Sequence, residues 1–204
     1  MLQERALRAL LRTIPSVPVH GPFSRCIGLH HLLPRPKTRR SGPPQPLWGM
    51  GSKMGGGRYT PPNLFETVYL AEDMVTALTE VSAVVRIGLP GLATLATNPW
   101  ALVSVRGVLL SVLNLLDPAI LAQLGANHQE LTGEWRYTQA AGGEAPTQLL
   151  GRVCYTSGRF DAIQYPSSKN PPNGICVAVF PDRLKSPAFI EVYDPYGNLA
   201  QRLP

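Results

Sequence analysis

The chain has 204 residues, of which 44% are hydrophobic, and a formal net charge of +6 at pH 7. This length and apolar content fit one globular domain with a core and exclude a chain that is disordered throughout. The positive charge suits an anionic partner, whether nucleic acid, a dinucleotide or an acidic protein, and does not choose among them.

The N-terminal residues 2–12 alternate leucines and arginines at helical spacing, which predicts a short amphipathic helix. We treat residues 1–22 as this helix and a linker, followed by the main domain over residues 23–204. The helix could pack on its own domain or on a second copy of the chain in a homo-oligomer. Charged side chains interrupt its leucines, so it is not a secretory signal peptide.

Proline, glycine and basic residues dominate between residues 30 and 57, where no period of 2 or 3.6 survives. This composition is typical of a long, mobile loop. The run from 67 to 71 is β-prone, and Asp73 is a good N-cap for a helix from about Met74 to Arg86.

The second half of the chain alternates strand-like and helical segments. Residues 101–113 predict one or two buried strands, and Asp117 and Pro118 predict the start of a short helix. Further segments are a helix near 146–157, strands at 160–165 and 175–180, and a hairpin joining 189–193 to 197–202. Without regular βαβ alternation, this pattern predicts an α+β fold.

The longest apolar stretch, residues 99–116, contains Arg106 and Asn114 and is shorter than the ~20 apolar residues that cross a bilayer. We therefore expect no membrane span and a cytoplasmic location. The three cysteines form no CxxC pair, so we expect neither a disulfide framework nor a structural zinc site. The four histidines have no metal-ligand spacing, and we expect them to be solvated and the protein to need no metal.

Three segments carry residues that could take part in binding or catalysis. Three glycines precede Arg58, which suits close approach to a phosphate but equally suits a flexible linker. Glu80 borders the apolar face of its helix, where a carboxylate needs a task or an ordinary surface ion pair. Residues 165–170 leave a strand through a proline and present Ser167, Ser168 and an amide, as many plain turns do.

In this order, the three segments resemble the RES-domain proteins, which are usually toxins of bacterial toxin–antitoxin modules. Arg58, Tyr69 and Glu80 follow one another at intervals of eleven residues, a spacing that this family also keeps. The resemblance extends from about Phe23 to Arg183 and rests on Arg25 and on the segments GGRYTPP (56–62), TVYLAEDMVTALTEV (67–81), FDAIQYPSSKNPPNG (160–174) and CVAVFPDR (176–183).

The resemblance implies a fold similar to bacterial ADP-ribosyltransferases, with a split, twisted β-sheet and flanking helices. It also implies cleavage of the nicotinamide–ribose bond of NAD⁺. Glu80 would stabilise the positive charge that develops on the ribose. Arg58 and Arg25 would bind the pyrophosphate, Tyr69 would line the nicotinamide pocket, and Tyr59 would be a further NAD⁺ contact. Ser167, or less favoured Ser168, would orient a ribose hydroxyl or the nucleophile.

Several alternatives stay open at this level. The acceptor could be water or phosphate, as in an NAD⁺ glycohydrolase or phosphorylase, or a protein, as in a mono-ADP-ribosyltransferase. A toxin would also need an antitoxin partner, with an acidic contacting end as one option. In a different class, a basic nucleic-acid-binding module would use Arg35, Lys37, Arg39 and Arg40 on phosphates, although only Trp48 offers an aromatic platform there.

Overall fold

The computed structural model describes residues 1–32, 43–86, 92–94 and 99–204. The predicted basic contacts Arg35, Lys37, Arg39 and Arg40 lie outside the described residues. The helices are α1 (Glu4–Leu10), α2 (Leu29–Leu32), α3 (Met50–Gly55), α4 (Met74–Glu80), α5 (Pro118–Gln123), α6 (His128–Thr132), α7 (Trp135–Ala140) and α8 (Pro146–Ser157). The strands are β1 (Val17–His20), β2 (Phe23–Gly28), β3 (Val68–Ala71), β4 (Val84–Arg86), β5 (Leu92–Thr94), β6 (Trp100–Asn114), β7 (Ala162–Pro166), β8 (Ile175–Val179), β9 (Phe189–Val192) and β10 (Arg202–Leu203).

The long strand β6 organises the sheet. It pairs antiparallel with β1, β2 and β9, and its C-terminal end pairs parallel with β7. Strand β8 joins β7 to β3, and β3 returns to β2. Five strands of the described chain therefore form a closed circuit in the order β6, β2, β3, β8, β7.

The circuit is weakest between β2 and β3. Strand β2 pairs with β6 through six residue pairs and β3 pairs with β8 through four, whereas β2 and β3 share the single pair Ser24 and Ala71. Beyond that pair the two strands diverge, and a cleft opens where the sheet splits. The mixed arrangement of a twisted sheet with flanking helices is the α+β fold that the sequence predicts.

Two apolar clusters form the core. One is built from strand residues such as Phe23, Leu109 and Ile190, and the other lies where the sheet meets the helices, with Leu7 and Leu150 among its members. Both leucines are inaccessible to solvent. The helices therefore contribute directly to the core, as burial of apolar area requires.

The N-terminal segment shares this core. The helix predicted over residues 2–12 is confirmed as α1, and Leu7, Leu11 and Ile14 are fully buried. Residues 17–20, expected in a linker, instead form β1 at the edge of β6. In the region predicted as a mobile loop, the described residues include the short helices α2 and α3, while residues 33–42 lie outside the described chain.

The helix predicted from Met74 to Arg86 begins correctly but is too long. The side chain of Asp73 accepts from Thr76 N, as an N-cap does, and α4 ends at Glu80. Ser82 takes a left-handed conformation with φ 57°, and Ala83 N donates to Leu78 O over 2.9 Å. This bond closes the last turn as a C-terminal capping motif does, usually with glycine in the left-handed position. Glu80 is therefore the last helical residue.

Most other predicted elements are confirmed. The segment 101–113 forms one strand, β6, and Asp117 caps α5 with Pro118 in its first turn. The helix near 146–157 is α8, the two strands that follow are β7 and β8, and β9 pairs antiparallel with β10. Among the described residues, no helix combines the length and apolarity needed to span a membrane.

Candidate active site

A cleft of about 370 Å³ lies at the split between β2 and β3. Its size falls in the ordinary range for small-molecule sites. It brings together Arg25, Arg58, Tyr69 and Glu80 from four different segments, and Ser168 and Lys169 from the turn after β7. Sequence reasoning named five of these six residues, counting Ser168 as the less favoured serine, and the fold places them in one cavity.

Glu80 is held in a fixed orientation. Ser167 Oγ donates to Glu80 Oε1 over 2.5 Å, and the peptide N–H groups of Lys169 and Asn170 donate to the same Oγ. Ser167 is 2% exposed. Because its hydroxyl proton is already directed at the carboxylate, Ser167 is placed to position Glu80.

The two candidate serines have different surroundings. Ser168, not Ser167, lines the cleft, and its Oγ accepts from Arg58 Nη2 over 3.1 Å. The predicted contact of Ser167 with a bound ligand therefore remains a prediction that this buried position does not favour. What the structure shows directly is the hydrogen bond from Ser167 to Glu80.

Arg58 ties three segments together. Its Nη1 donates to Leu131 O over 2.7 Å and to Gly133 O over 2.9 Å, at the C-terminal end of α6. Its Nη2 reaches Ser168, as described above. The guanidinium is half-buried and lines the cleft. These contacts fix the plane of the group, and no neighbour in the described chain accepts from its Nε.

Tyr69 is fixed through its hydroxyl. Tyr59 N donates to Tyr69 Oη over 3.0 Å, and the Oη lies 3.1 Å from Thr60 Oγ1. Burial raises the pKa of Tyr69 to about 12, partly opposed by these hydrogen bonds. The hydroxyl is engaged with the glycine-rich segment, so the ring is the part of Tyr69 left to meet a ligand.

Tyr59 does not lie where the sequence predicts. Its side chain is fully buried, and its ring packs against Tyr165 with centroids 4.6 Å apart. It is absent from the residues that line the cleft. The predicted NAD⁺ contact is therefore corrected: Arg58 faces the cleft and Tyr59, the next residue, faces the core. Gly151 permits this, because a Cβ there would lie 1.9 Å from Tyr59 O.

Arg25 is a buried cation beside the split. Its Nη2 donates to Trp48 O over 2.7 Å, and its Nη1 lies 3.5 Å from Tyr69 O. Among the described residues, none accepts a hydrogen bond from its Nε, which is itself buried. Burial lowers the pKa of Arg25 to about 10, although the nearby Glu66 opposes this shift. A buried guanidinium with a spare donor favours an anionic ligand.

A pair of glutamines that sequence reasoning missed supports the glycine-rich segment. Gln148, which is 1% exposed on α8, donates from Nε2 to Gly57 O over 3.1 Å and to Gln139 Oε1 over 2.6 Å. Gln139 in turn donates to Gly55 O over 3.0 Å. Gly56 has φ 77°, and a Cβ there would lie 2.2 Å from Gln139 Oε1. We call these two residues the glutamine clamp.

Lys169 was also missed. Its Nζ donates to Glu80 O over 2.8 Å and to Ser82 Oγ over 2.7 Å, so it closes the end of α4. Partial desolvation lowers the pKa of Lys169. Nothing in the local sequence signals either contact, because both depend on the turn after β7 meeting the end of α4.

Other candidates for chemistry are less favoured. In the described part of the chain, no group of three or more His, Cys, Asp and Glu side chains could hold a metal ion. All four histidines are exposed, as expected. Burial raises the pKa of the Cys176 thiol well above its ordinary value, and Cys26 is shifted the same way, so neither cysteine in the cleft favours a thiolate.

Comparisons with known proteins identify the fold and the family of this chain. A chain in the crystal structure of the M. tuberculosis MbcT-MbcA toxin-antitoxin complex has the same fold, with a TM-score of 0.63 and 18% identity. The match covers 98% of this chain and 90% of that chain. A comparison with curated proteins finds no match. The model of the RES domain matches residues 31–200, which is most of the sequence, and the chain therefore belongs to the RES domain family.

Proposed function

We propose that this protein is the toxin of a toxin–antitoxin pair and acts by cleaving the nicotinamide–ribose bond of NAD⁺. The observation that carries the proposal is the Glu80 carboxylate, fixed by Ser167 in a cleft that is also lined by three arginines, Arg25, Arg58 and Arg136. A fixed carboxylate and fixed cations suit a substrate that carries a pyrophosphate and develops positive charge on a ribose.

Each residue has a distinct role in this scheme. Bond cleavage releases neutral nicotinamide and leaves positive charge at C1′ of the ribose, which the Glu80 carboxylate stabilises. Arg25 and Arg58, which both line the cleft, bind the pyrophosphate, and Arg58 donates to a phosphate oxygen from its Nε. The Tyr69 ring, whose hydroxyl is already engaged, supplies a flat surface for the nicotinamide. This chain needs no metal for any of these roles.

The partner proposed for this chain is an antitoxin protein. The neighbour of similar fold was solved as a toxin-antitoxin complex, and a bound partner that covers the cleft is the simplest way to silence an enzyme of this kind. The cations in the cleft, Arg25, Arg58 and Lys169, favour an acidic segment at the contact.

The test is NAD⁺ consumption by purified protein and by Glu80→Gln, with products separated in the presence and absence of phosphate. We expect Glu80→Gln to lose at least ~100-fold in turnover, because it removes the stabilising charge and little volume. The matched control is Glu72→Gln, since Glu72 is exposed near the end of β3, accepts from Gln164 Nε2 and does not line the cleft.

The products decide the acceptor. Free ADP-ribose indicates water, a phosphorylated ADP-ribose made only with phosphate indicates a phosphorylase, and label transferred to an added protein indicates an ADP-ribosyltransferase. Equal turnover by wild type and Glu80→Gln would remove Glu80 from the chemistry. Intact NAD⁺ in every condition, with a folded protein and cell extract present, would contradict the proposed activity.

A further inference from the structure

Several residues that line the cleft carry aromatic rings. We call His30, His31, Trp48 and Trp100 the aromatic wall. The His30 and His31 rings lie 3.9 Å apart between centroids, and the His31 and Trp48 rings lie 5.4 Å apart. All four residues line the cleft and none belongs to the apolar core. Partly exposed aromatic faces inside a cleft are typical of a binding surface.

The wall is held in place by the sheet. Trp100 is the first residue of β6 and pairs with Gly28, the last residue of β2. A Cβ on Gly28 would lie 2.8 Å from His30 Cε1, so the absent side chain lets His30 lie close to the strand. The backbone of Trp48 is fixed by the bond from Arg25 to its carbonyl.

A series of hydrogen bonds links this wall to the Glu80 carboxylate. Arg25 bonds to the carbonyl of Trp48 and approaches that of Tyr69. The Tyr69 hydroxyl bonds to the residue after Arg58. Arg58 bonds to Ser168, and the adjacent Ser167 bonds to Glu80. Hydrogen bonds therefore connect the aromatic wall to Glu80 through the segments that carry Arg25 and Arg58.

We propose that the aromatic wall is the binding site for the adenine base, with Trp48 and His31 as its stacking surface. This inference rests on the proposed function, which assigns the reacting ribose to Glu80 and the pyrophosphate to the arginines. The other end of a dinucleotide then reaches the aromatic wall. Stacking needs only a π-face, which an indole ring and an imidazole both provide.

The inference predicts selective loss of affinity for the adenosine half of the substrate. We would measure binding of AMP, nicotinamide mononucleotide and NAD⁺ by calorimetry in the Glu80→Gln protein, which does not turn over. Trp48→Ala should weaken AMP and NAD⁺ about five- to a hundredfold, from the range for one stacked base. Nicotinamide mononucleotide, which lacks adenine, should bind as before.

Two further variants separate stacking from folding. Trp48→Phe keeps a ring and should retain most of the AMP affinity. His31→Ala changes an exposed side chain, so it should leave the melting temperature unchanged while weakening AMP. Tyr137→Ala is the control, because Tyr137 is 81% exposed and does not line the cleft.

The outcomes distinguish this inference from the proposed function. Unchanged AMP affinity in both Trp48→Ala and His31→Ala, or an equal loss for AMP and nicotinamide mononucleotide, would overturn the adenine site and leave NAD⁺ cleavage standing. If neither wild type nor the Glu80→Gln protein without a second substitution bound AMP or NAD⁺, both the adenine site and NAD⁺ cleavage would be overturned. A selective loss for AMP and NAD⁺ supports the aromatic wall.

Discussion

Glu80 and Ser167 are 87 residues apart in the chain and meet over 2.5 Å. The serine hydroxyl has one proton, which goes to the carboxylate, and its oxygen receives two peptide N–H groups. Ser167 is thus oriented by its own turn before it orients Glu80. In a catalytic site, such support from a neighbouring residue limits the directions in which the carboxylate can point.

Replacing each serine tests this distinction. We expect Ser167→Ala to lower kcat about 10- to 100-fold with little change in KM, because Glu80 loses the hydroxyl that fixes it and the charge remains. Ser168→Ala should act mainly on KM, since Ser168 contacts Arg58. Steady-state kinetics of both variants at one pH gives the comparison. A larger loss of kcat in Ser168→Ala than in Ser167→Ala would reverse the two assignments.

For individual residues, the sequence predicts which residue types form the site better than it predicts which way each side chain faces. Arg58 and Tyr59 are adjacent, and no local signal shows which of them faces the cleft. Gly151, on a distant helix, leaves the space that brings the Tyr59 backbone inward. Likewise, the roles of Ser167 and Ser168 depend on how their turn meets the end of α4, where Ser167 bonds to Glu80. This is a tertiary contact that the local sequence does not show.

At the scale of elements, helix α8 holds the glycine-rich segment through the glutamine clamp. Gln148 uses both ends of its amide: Oε1 accepts from Ala145 N, and Nε2 donates to Gly57 O and Gln139 Oε1. Gly57 itself lies so close to Tyr69 that a Cβ would be 2.4 Å from the hydroxyl. The segment that carries Arg58 is therefore fixed on two sides.

We predict that Gln148→Met loosens this segment. Methionine fills similar space but leaves the buried Ala145 N without its acceptor and removes one of the two donors to Gly57 O. An unsatisfied buried polar group costs about 1–3 kcal/mol. The free energy of unfolding should fall by that amount, and turnover should fall as Arg58 loses its fixed position. Denaturant unfolding and NAD⁺ turnover measure the two effects.

The control is Gln123→Met, because Gln123 is exposed at the end of α5. If the clamp acts through Arg58, adding Gln148→Met to Arg58→Ala should lower turnover little further, since neighbours that act together are not additive. Full additivity of the two turnover losses would show that Gln148 acts elsewhere.

The sequence predicts the bounds of an element where a capping or turn residue stands at that bound. Asp73, Asp117 and Pro118 mark true helix starts. The end of α4 is missed because its left-handed position is occupied by Ser82, whereas glycine is the usual signal there. The lysine that bonds to Ser82 Oγ, Lys169, comes from a distant turn.

At the scale of the whole molecule, α1 is joined to α8 by charge as well as by the core. Arg152 donates to Glu144 and to Glu4, with Nη2 2.9 Å from Glu4 Oε2. Arg8, one turn along α1, also contacts Glu4. Hydrogen bonds from Arg152 and then Arg8 lower the pKa of Glu4 to about 2.

This shift gives a pH dependence with a definite sign. A carboxylate whose pKa is lowered on folding contributes stability above its ordinary pKa of 4.5 and loses it as the pH falls towards 2. We expect Arg152→Met to lower the melting temperature at neutral pH, and the difference from wild type to shrink as the pH is lowered below 4.5. Thermal unfolding over a pH series measures this.

The matched control is Arg8→Met, which removes the contact within α1 and keeps the link to α8. It should lower the melting temperature less than Arg152→Met does, because exposed pairs within a helix contribute little. Added salt should reduce both differences, since the Glu4 side chain is 40% accessible to solvent. A difference that stayed constant from neutral to acid pH would exclude the Glu4 carboxylate as its source.

The closed strand circuit has a consequence for the time at which the site comes into being. The cleft lies between β2 and β3, but β2 is paired with β6, and β3 depends on β8, at Ile175–Val179. Strand β9 pairs with β6 and with β10, after the circuit has closed. A growing chain on the ribosome therefore carries Arg25, Arg58 and Glu80 long before it can assemble them. A chain that stops before β8 lacks the strand that positions β3, so it cannot form the cleft.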